Sequence, residues 1–462
     1  KDLAKNDYHY DRNLIFSYIE KINLNLTKNN INNFSVELKT TVNDGYIDLI
    51  FYEKEKKPLR ISNISISGNT ITKDKTIRSK LTFEPGDHYN KTLIENTSEN
   101  LNKFSYINDV KINQSINSDL TAIDIAVDEN KKTGNIILAS TFDADRGFGI
   151  SFGVEDNNIF GSGNRIKSNF SGNSEDLKYD IGYSFYPTHN PYLTNTFSIY
   201  NKENDLTSSF GFKSTKQGLG YSLKFQANEV IEYSYDVKYE YSKGSSPSNN
   251  NIQSITDNIN SFNNINFGFQ LIRDKTNNIF SPTNGSLNSI SFSLSPDGIS
   301  DSSFYKLILT NKNYFKFKNT DSFIFFTNNY GYADGINQNL KTVDAFSLGG
   351  MNFKGFDYRG IGPFDQNIYL GGNEYLTSTI GYGSSFLFDS KDNINIKLFL
   401  TTGSIWGSDY STSNDFKLRS SAGLSFDFIT SIGPISFAYA VPLEKISDDK
   451  TRNFAFSIGT SF

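Results

Sequence analysis

Few residues in this chain have the type and spacing that chemistry needs. His9, His88 and His189 lie far apart, with no pair at a metal-ligand separation, so each reads as a surface or turn residue. Cysteine is absent, which removes disulfides, thiolate metal sites and thiol nucleophiles together. Gly161-Ser162-Gly163 has the composition of a phosphate-cradling turn, but it separates two alternating segments with no helix behind it, and it reads as a tight hairpin turn. The carboxylate pairs Asp143/Asp145 and Asp448/Asp449 fall in expected turns, where solvated acids are the default. No Gly-x-Ser-x-Gly elbow stands between a strand and a helix. The expectation is a protein without catalytic residues, cofactor or metal.

One stretch stands apart. SLGGMNFKGFDYRGIGP, Ser347–Pro363, sits in a connection of about forty residues, and connections that long usually carry function or disorder. Phe353, Phe356, Tyr358 and Phe364 alternate with seven glycines between Gly349 and Gly372, which is unlike a disordered linker. Two readings stay open: a packed cap, or a loop folded back into an interior where aromatics and a cation find partners.

The elements around this stretch follow from composition and periodicity. In 462 residues, 40 Phe and 27 Tyr raise the aromatic content to 15%, while the mean hydropathy is only -0.46. No run of about eighteen apolar residues exists, which rules out membrane-crossing helices but not a barrel, whose strands alternate lipid-facing and lumen-facing side chains. The formal charge of -5 arises from 45 basic and 50 acidic residues with no basic block, so nucleic acid is not an expected partner.

Residues 1–57 open with Ile15, Ile19, Ile22 and Leu26 at a helical spacing that puts all four on one face, followed by two alternating segments joined through Asn43-Asp44-Gly45. Residues 58–130 read strand, helix, helix, strand, strand. Against that second unit the first lacks a strand and a helix, which predicts that the chain begins inside a domain. From residue 131 onward every segment alternates at period two, and the segments number about sixteen, the even count of roughly ten-residue strands that an outer-membrane barrel needs. In the last, Phe454, Phe456, Ile458 and Phe462 face one way while Ala455, Ser457, Gly459 and Ser461 face the other. The predicted fold is an all-β transmembrane barrel of about sixteen antiparallel strands over 131–462, preceded by small α+β domains, with paired soluble sandwiches as the alternative.

At Ser347–Pro363 the sequence resembles the BamA family of outer-membrane assembly barrels, whose sixth extracellular loop carries Val/Ile-Arg-Gly-Phe/Tyr shortly before Ile-Gly-Pro. The corresponding residues are Phe353-Lys354-Gly355-Phe356 and Ile361-Gly362-Pro363. Gly153–Ile166, Arg273–Ser286, Gly371-Gly372-Asn373, Arg419–Gly423, Ser431–Leu443 and the terminal Phe462 match the family in order. The small domains resemble POTRA domains, with ISGNTITKD at Ile66–Asp74 and EPGDHY at Glu84–Tyr89.

The resemblance implies a carboxy-terminal part of an insertase in the bacterial outer membrane, with its POTRA-like domains in the periplasm. Its clients would be unfolded outer-membrane proteins, and its other partners outer-membrane lipid and periplasmic accessory lipoproteins. Insertion would use a lateral seam between the first barrel strand (Ile136, Leu138, Ser140) and the last (Phe454, Phe456, Ile458, Gly459, Phe462). Related barrels of the TamA or two-partner secretion type, and a passive porin, are the competing functions. The chain also departs from the family. Lys354 replaces the loop arginine, while Thr401 and Gly381 stand where wall carboxylates are usual. Lys80 reverses an acid that helps dock an accessory lipoprotein.

Overall fold

The computed structural model describes residues 11–28, 34–43, 46–55, 59–117, 119–143, 147–187, 192–207, 211–246, 252–279, 281–365, 368–384, 394–411, 415–430 and 433–458. The chain divides into two units, one of residues 1–133 with the segments 157–164 and 187–191, the other comprising the rest.

In the first unit, α1 (Arg12–Lys28) lies against a hairpin of β1 (Phe34–Asn43) and β2 (Tyr46–Glu55). Ile15 and Ile19 are buried but Ile22 is exposed, because the docked face runs 15, 19, 23 at a spacing of four. Asn23 completes that face: its amide donates to Val36 O at 3.1 Å and its Oδ1 accepts from Val36 N at 2.8 Å. The helical reading of this segment holds, while the placement of Ile22 on the buried face is corrected.

The next strands and helices are β3 (Arg60–Ser67), α2 (Asp74–Arg78), α3 (Lys91–Leu101), β4 (Ile107–Asn117) and β5 (Leu120–Glu129). They follow the order read from sequence. β5 is central, parallel to β3 and antiparallel to β4. Alternation on β5 buries Ile123, Ile125 and Val127, while Ile77 from α2 and Leu101 from α3 are buried with them in the unit's core. Asn90 caps α3 by accepting from Thr92 N and Leu93 N. Glu129 is buried at the end of β5 and accepts from the backbone N–H groups of Thr70, Ile71 and Thr72 at 2.6–2.7 Å. Burial raises this carboxyl, but hydrogen bonds from Thr72, Ile71 and Thr70 outweigh it and hold its pKa below the usual range.

Gly161 belongs to this unit and shows why its turn is glycine-rich. At φ +69° it accepts Lys73 N and Thr76 Oγ1, both at 2.9 Å, and a Cβ there would meet Ile71 O at 2.2 Å. It forms a turn, as its setting between two strands predicts.

The second unit is a closed ring of sixteen antiparallel strands. They are β6 (Gly134–Asp143), β7 (Gly147–Asp156), β8 (Arg165–Gly172), β9 (Asp176–Phe185), β10 (Leu193–Leu206), β11 (Phe212–Gln226), β12 (Ile231–Ser245) and β13 (Ser261–Asp274), then β14 (Gly285–Ser295), β15 (Phe304–Lys316) and β16 (Ser322–Gly335). After the long connection, with its two-residue strands β17 (Gly355–Phe356), β18 (Phe364–Asp365) and β19 (Ile368–Tyr369), come β20 (Glu374–Ser384), β21 (Ile394–Trp406), β22 (Arg419–Thr430) and β23 (Gly433–Glu444). The short β24 (Thr451–Arg452) precedes the sixteenth ring strand, β25 (Phe454–Ile458).

β12 shows the logic of the wall. Tyr235, Val237, Tyr239 and Tyr241 face outward and are exposed. Asp236, Lys238 and Glu240 face inward, where Lys238 pairs with Asp236 at 3.0 Å and Glu240 with Lys216 at 3.2 Å. Apolar bulk outside and ion pairs inside is the arrangement of a barrel in lipid and the reverse of a soluble sandwich.

Candidate functional site

The connection from 336 to 373 is packed inside the barrel, not capped over it. Phe353 and Phe356 are each 1% exposed, their rings T-shaped at 5.1 Å, in one cluster with Leu340, Phe346, Leu348 and Ile361 of the connection and Ala333 and Ile405 of the wall. The glycines allow this close packing. Gly355, at φ +98°, pairs with Arg452 and brings the chain against Ser421 and Ala440, while a Cβ at Gly362, at φ +118°, would lie 2.9 Å from Ile405. Pro363 follows that turn, and its carbonyl accepts Leu370 N at 2.9 Å.

Lys354 projects from this cluster toward the wall and lies over the Phe399 ring at 5.3 Å. The positions where the resemblance places wall carboxylates are otherwise engaged. Thr401 shares a 2.9 Å hydrogen bond with Thr379, and Gly381 is overlain by Phe325, whose ring would be 2.3 Å from any Cβ there.

The connection is held instead by a pair of opposite sense, a loop acid on a wall lysine. Asp344 lies 3.5 Å from Lys216, which also reaches Glu240, and Lys306 donates to Asp344 O at 2.9 Å with its ammonium 4.2 Å from the Phe346 ring centroid. Nothing in the local sequence around Asp344 signals this role, because its partner is 128 residues away.

The far end of the connection is tied to the segment just before the last strand. β17 pairs with β24, Asp357 N donates to Lys450 O, and Lys450 N donates to Gly360 O, both at 2.9 Å. Beside them Arg419 holds Asp449 through Nε and Nη2 at 3.0 and 2.9 Å, with side chains only 5% and 2% exposed. The expectation that Asp448/Asp449 are solvated is therefore corrected for Asp449. Its location in a turn is right, but the turn packs inward against Arg419.

At the seam, β25 pairs with β6 through Ser457↔Asp143 and Ile458↔Phe142. Its other neighbour, β23, matches it over all five of its residues. Below Phe142, residues 134–141 of β6 are paired with β7 on one side and with no described strand on the other. Ile136, Leu138 and Ser140 are exposed there, Leu138 at 81%. Phe454, Phe456 and Ile458 share one face, and Ala455 on the opposite face is buried. Gly459 and Phe462 lie outside the described residues, as do His9, His189 and Asp145.

In the first unit Lys80 is buried, its ammonium 5.4 Å from the Phe104 ring, and burial lowers its pKa. The reversed charge is turned inward. Among the described residues, no group of three or more His, Asp or Glu side chains has the geometry of a metal site.

With the ring, the packed loop and the small domain established, comparison with known proteins places the chain. The Omp85 superfamily domain matches residues 158–462, and a POTRA domain, described as a surface antigen variable number repeat, matches 59–130. The outer membrane protein assembly factor BamA of Neorickettsia risticii (strain Illinois) is 23% identical over 436 residues, 91% of this chain and 57% of the relative, so the chain spans little more than half of that protein's length. The structure of BamA from Haemophilus ducreyi lacking POTRA domains 1-3 superposes with a TM-score of 0.79 at 18% identity, covering 99% of this chain and 95% of that one. CdiB from Acinetobacter baumannii reaches 0.56 at 15% identity, covering 96% and 81%. Lipid-facing aromatics on a sixteen-stranded ring and a periplasmic POTRA domain are the parts of an outer-membrane protein, and the chain belongs to the Omp85 superfamily, with BamA proteins among its relatives.

Proposed function

We propose that this chain folds and inserts outer-membrane β-barrel clients by opening the seam between β6 and β25, without catalytic residues, nucleotide or metal. The observation that carries the reading is the closure of the ring by its first and last strands. β6 and β25 meet directly, through Ser457↔Asp143 and Ile458↔Phe142, so parting them opens the wall without breaking the chain. An unpaired backbone group in lipid costs several kcal/mol, so the edge of β6 freed by that parting would accept an incoming strand, which adds by main-chain pairing and is selected through alternate side-chain positions. The aromatic face of Phe454 and Phe456 displays the pattern such a strand would carry. Unfolded outer-membrane proteins are the proposed clients, lipid the surrounding partner, and accessory lipoproteins the partners of the POTRA side. The burial of Lys80 removes its charge from that docking surface.

The register dictates the test. Phe142 and Ile458 are directly opposed, whereas Leu138 lies four residues away from that pair, so a cross-link belongs at 142 and 458. With no native thiol to compete, the double cysteine variant can be oxidised in membranes and its client insertion followed in parallel with the reduced protein. Insertion should stop on oxidation and return on reduction; insertion at the reduced rate in the oxidised protein would refute the seam. Steady, large conductance in a planar bilayer would favour a porin instead, and export of a client to the outside without its insertion would favour a translocation barrel.

A further inference from the structure

The barrel lumen contains a cavity of about 680 Å³ beneath the packed loop, and its charged lining is lopsided. Among the described residues three lysines face it, Lys312 of β15, Lys354 of the loop and Lys397 of β21, against one carboxylate, Asp427 of β22. That carboxylate is already engaged. Lys397 meets Asp427 Oδ2 at 2.9 Å, and Ser436 donates to Oδ1 at 2.5 Å. Lys354 lies over the ring of Phe399 with Asp427 in electrostatic range but makes no hydrogen bond or ion pair among the described residues, and neither does Lys312. Lys397 is within electrostatic range of both. Asp274, another acid among the described residues, lies in range of Tyr314 on the same wall and takes Thr276 N and Oγ1 on one oxygen.

We propose that Lys312, Lys354 and Lys397 form an oxyanion-binding site in the lumen, for a carboxylate or phosphate group entering from the cavity. Two ammonium groups in excess of their carboxylate, set in a walled space, repel one another and gain from a shared counter-charge more than they would in open water. Lysine presents a compact point charge with three rotatable donors and no fixed fork, so the site selects charge over shape and accepts either oxyanion. Thr379 and Thr401 supply hydroxyls on the same wall, while Tyr314, Phe325 and Phe399 supply apolar surface for whatever carries the anion. The cavity is many times larger than the roughly 30 Å³ share of one water molecule, which leaves room for an acid borne on a peptide. The inference does not depend on the seam, because it concerns the closed lumen alone.

Calorimetry on the intact protein in nanodiscs, with inorganic phosphate in one arm and a short acidic peptide in the other, tests it. Saturable binding should weaken at least tenfold in Lys312→Gln/Lys354→Gln and fall with added salt, and it should tighten in Asp427→Asn, which frees Lys397. Opposite signs separate a site from general damage, and unchanged heat-modifiability of each variant confirms the fold. Binding of the peptide but not phosphate assigns the site to polypeptide acids, and binding of both assigns it to free oxyanions as well. No saturable binding in either arm, or equal affinity across the three proteins, overturns the proposal.

Discussion

The ring of Phe142 lies 5.1 Å from that of Phe456, with the two planes 11° apart, and this stack joins the first strand of the barrel to the last. Phe456 continues it onto Phe437 of β23 at 6.2 Å. The stack lies beside the Ile458↔Phe142 and Ser457↔Asp143 pairs of the backbone ladder, so ring and main-chain contacts hold the joint together. Such a pair contributes about 0.5–1.5 kcal/mol beyond its buried area. Phe142→Ala should therefore speed amide exchange across 134–143, whereas Phe267→Ala, equally exposed at 41% but in mid-wall, should leave its strand unchanged. Equal effects at the two positions would show that the seam has no special dependence on the stack.

The inverted anchor of the long connection makes a ranking. Lys216 sits between Glu240 and Asp344, and its removal leaves two carboxylates facing each other in a lumen where neither is fully hydrated. Removing one partner of a buried pair typically costs about 3–5 kcal/mol. Lys216→Ala should lower the midpoint of heat-modifiability most, Asp344→Asn less, and Lys354→Ala least. A larger loss for Lys354→Ala would return the anchoring role to the motif residue.

Restoring the family's acid should fail for a steric reason. A Cβ at position 381 would lie 2.3 Å from the Phe325 ring and 2.5 Å from Leu398 O. Gly381→Asp should destabilise the barrel even alongside Lys354→Arg, and Phe325→Ala should recover part of the loss by vacating the space. Heat-modifiability of the three variants checks this.

Arg419 and Asp449 predict an unequal response to a nominally conservative change. The guanidinium uses Nε and Nη2 on the carboxylate and Nη1 on Lys417 O at 2.9 Å, a set of contacts that one ammonium cannot reproduce. Arg419→Lys should loosen the segment from Ile446 to Arg452, read as faster amide exchange there, with the effect passing to Gly355-Phe356 through β24. Exchange confined to the mutated turn would disprove that coupling.

The POTRA domain carries a pH dependence of defined sign. Glu129 has a folded-state pKa below its ordinary value, so its stabilisation is complete above the unfolded pKa and is lost as pH falls through the folded one. Amide exchange of residues 70–72 in the intact protein should accelerate as the solution is acidified below the ordinary glutamate range. Glu129→Gln should exchange faster at neutral pH and lose most of that dependence.

Much of this was legible in the chain itself, and the reasons are local. Alternation on β12 or β25 depends only on neighbours two residues apart, so strand count and facing follow from the sequence, as does the strand-helix-helix-strand-strand order of 58–130. Ile22 was misplaced because a three-residue step and a four-residue step look alike on a helix until the partner surface is known. Asp449 was misread for a similar reason, since an acid in a turn is solvated unless a distant arginine meets it.

By itself, then, the sequence determined the barrel, the absence of membrane-crossing helices, the lack of thiols and the existence of an aromatic, glycine-rich connection. Tertiary structure alone decided that the connection packs inward, that Asp344 and Lys216 hold it across 128 residues, and that β6 meets β25 with Phe142 stacked on Phe456. The division has one physical cause. Periodicity is written in adjacent residues, whereas closure and anchoring are contacts between side chains that come together only when the sheet curves back on itself.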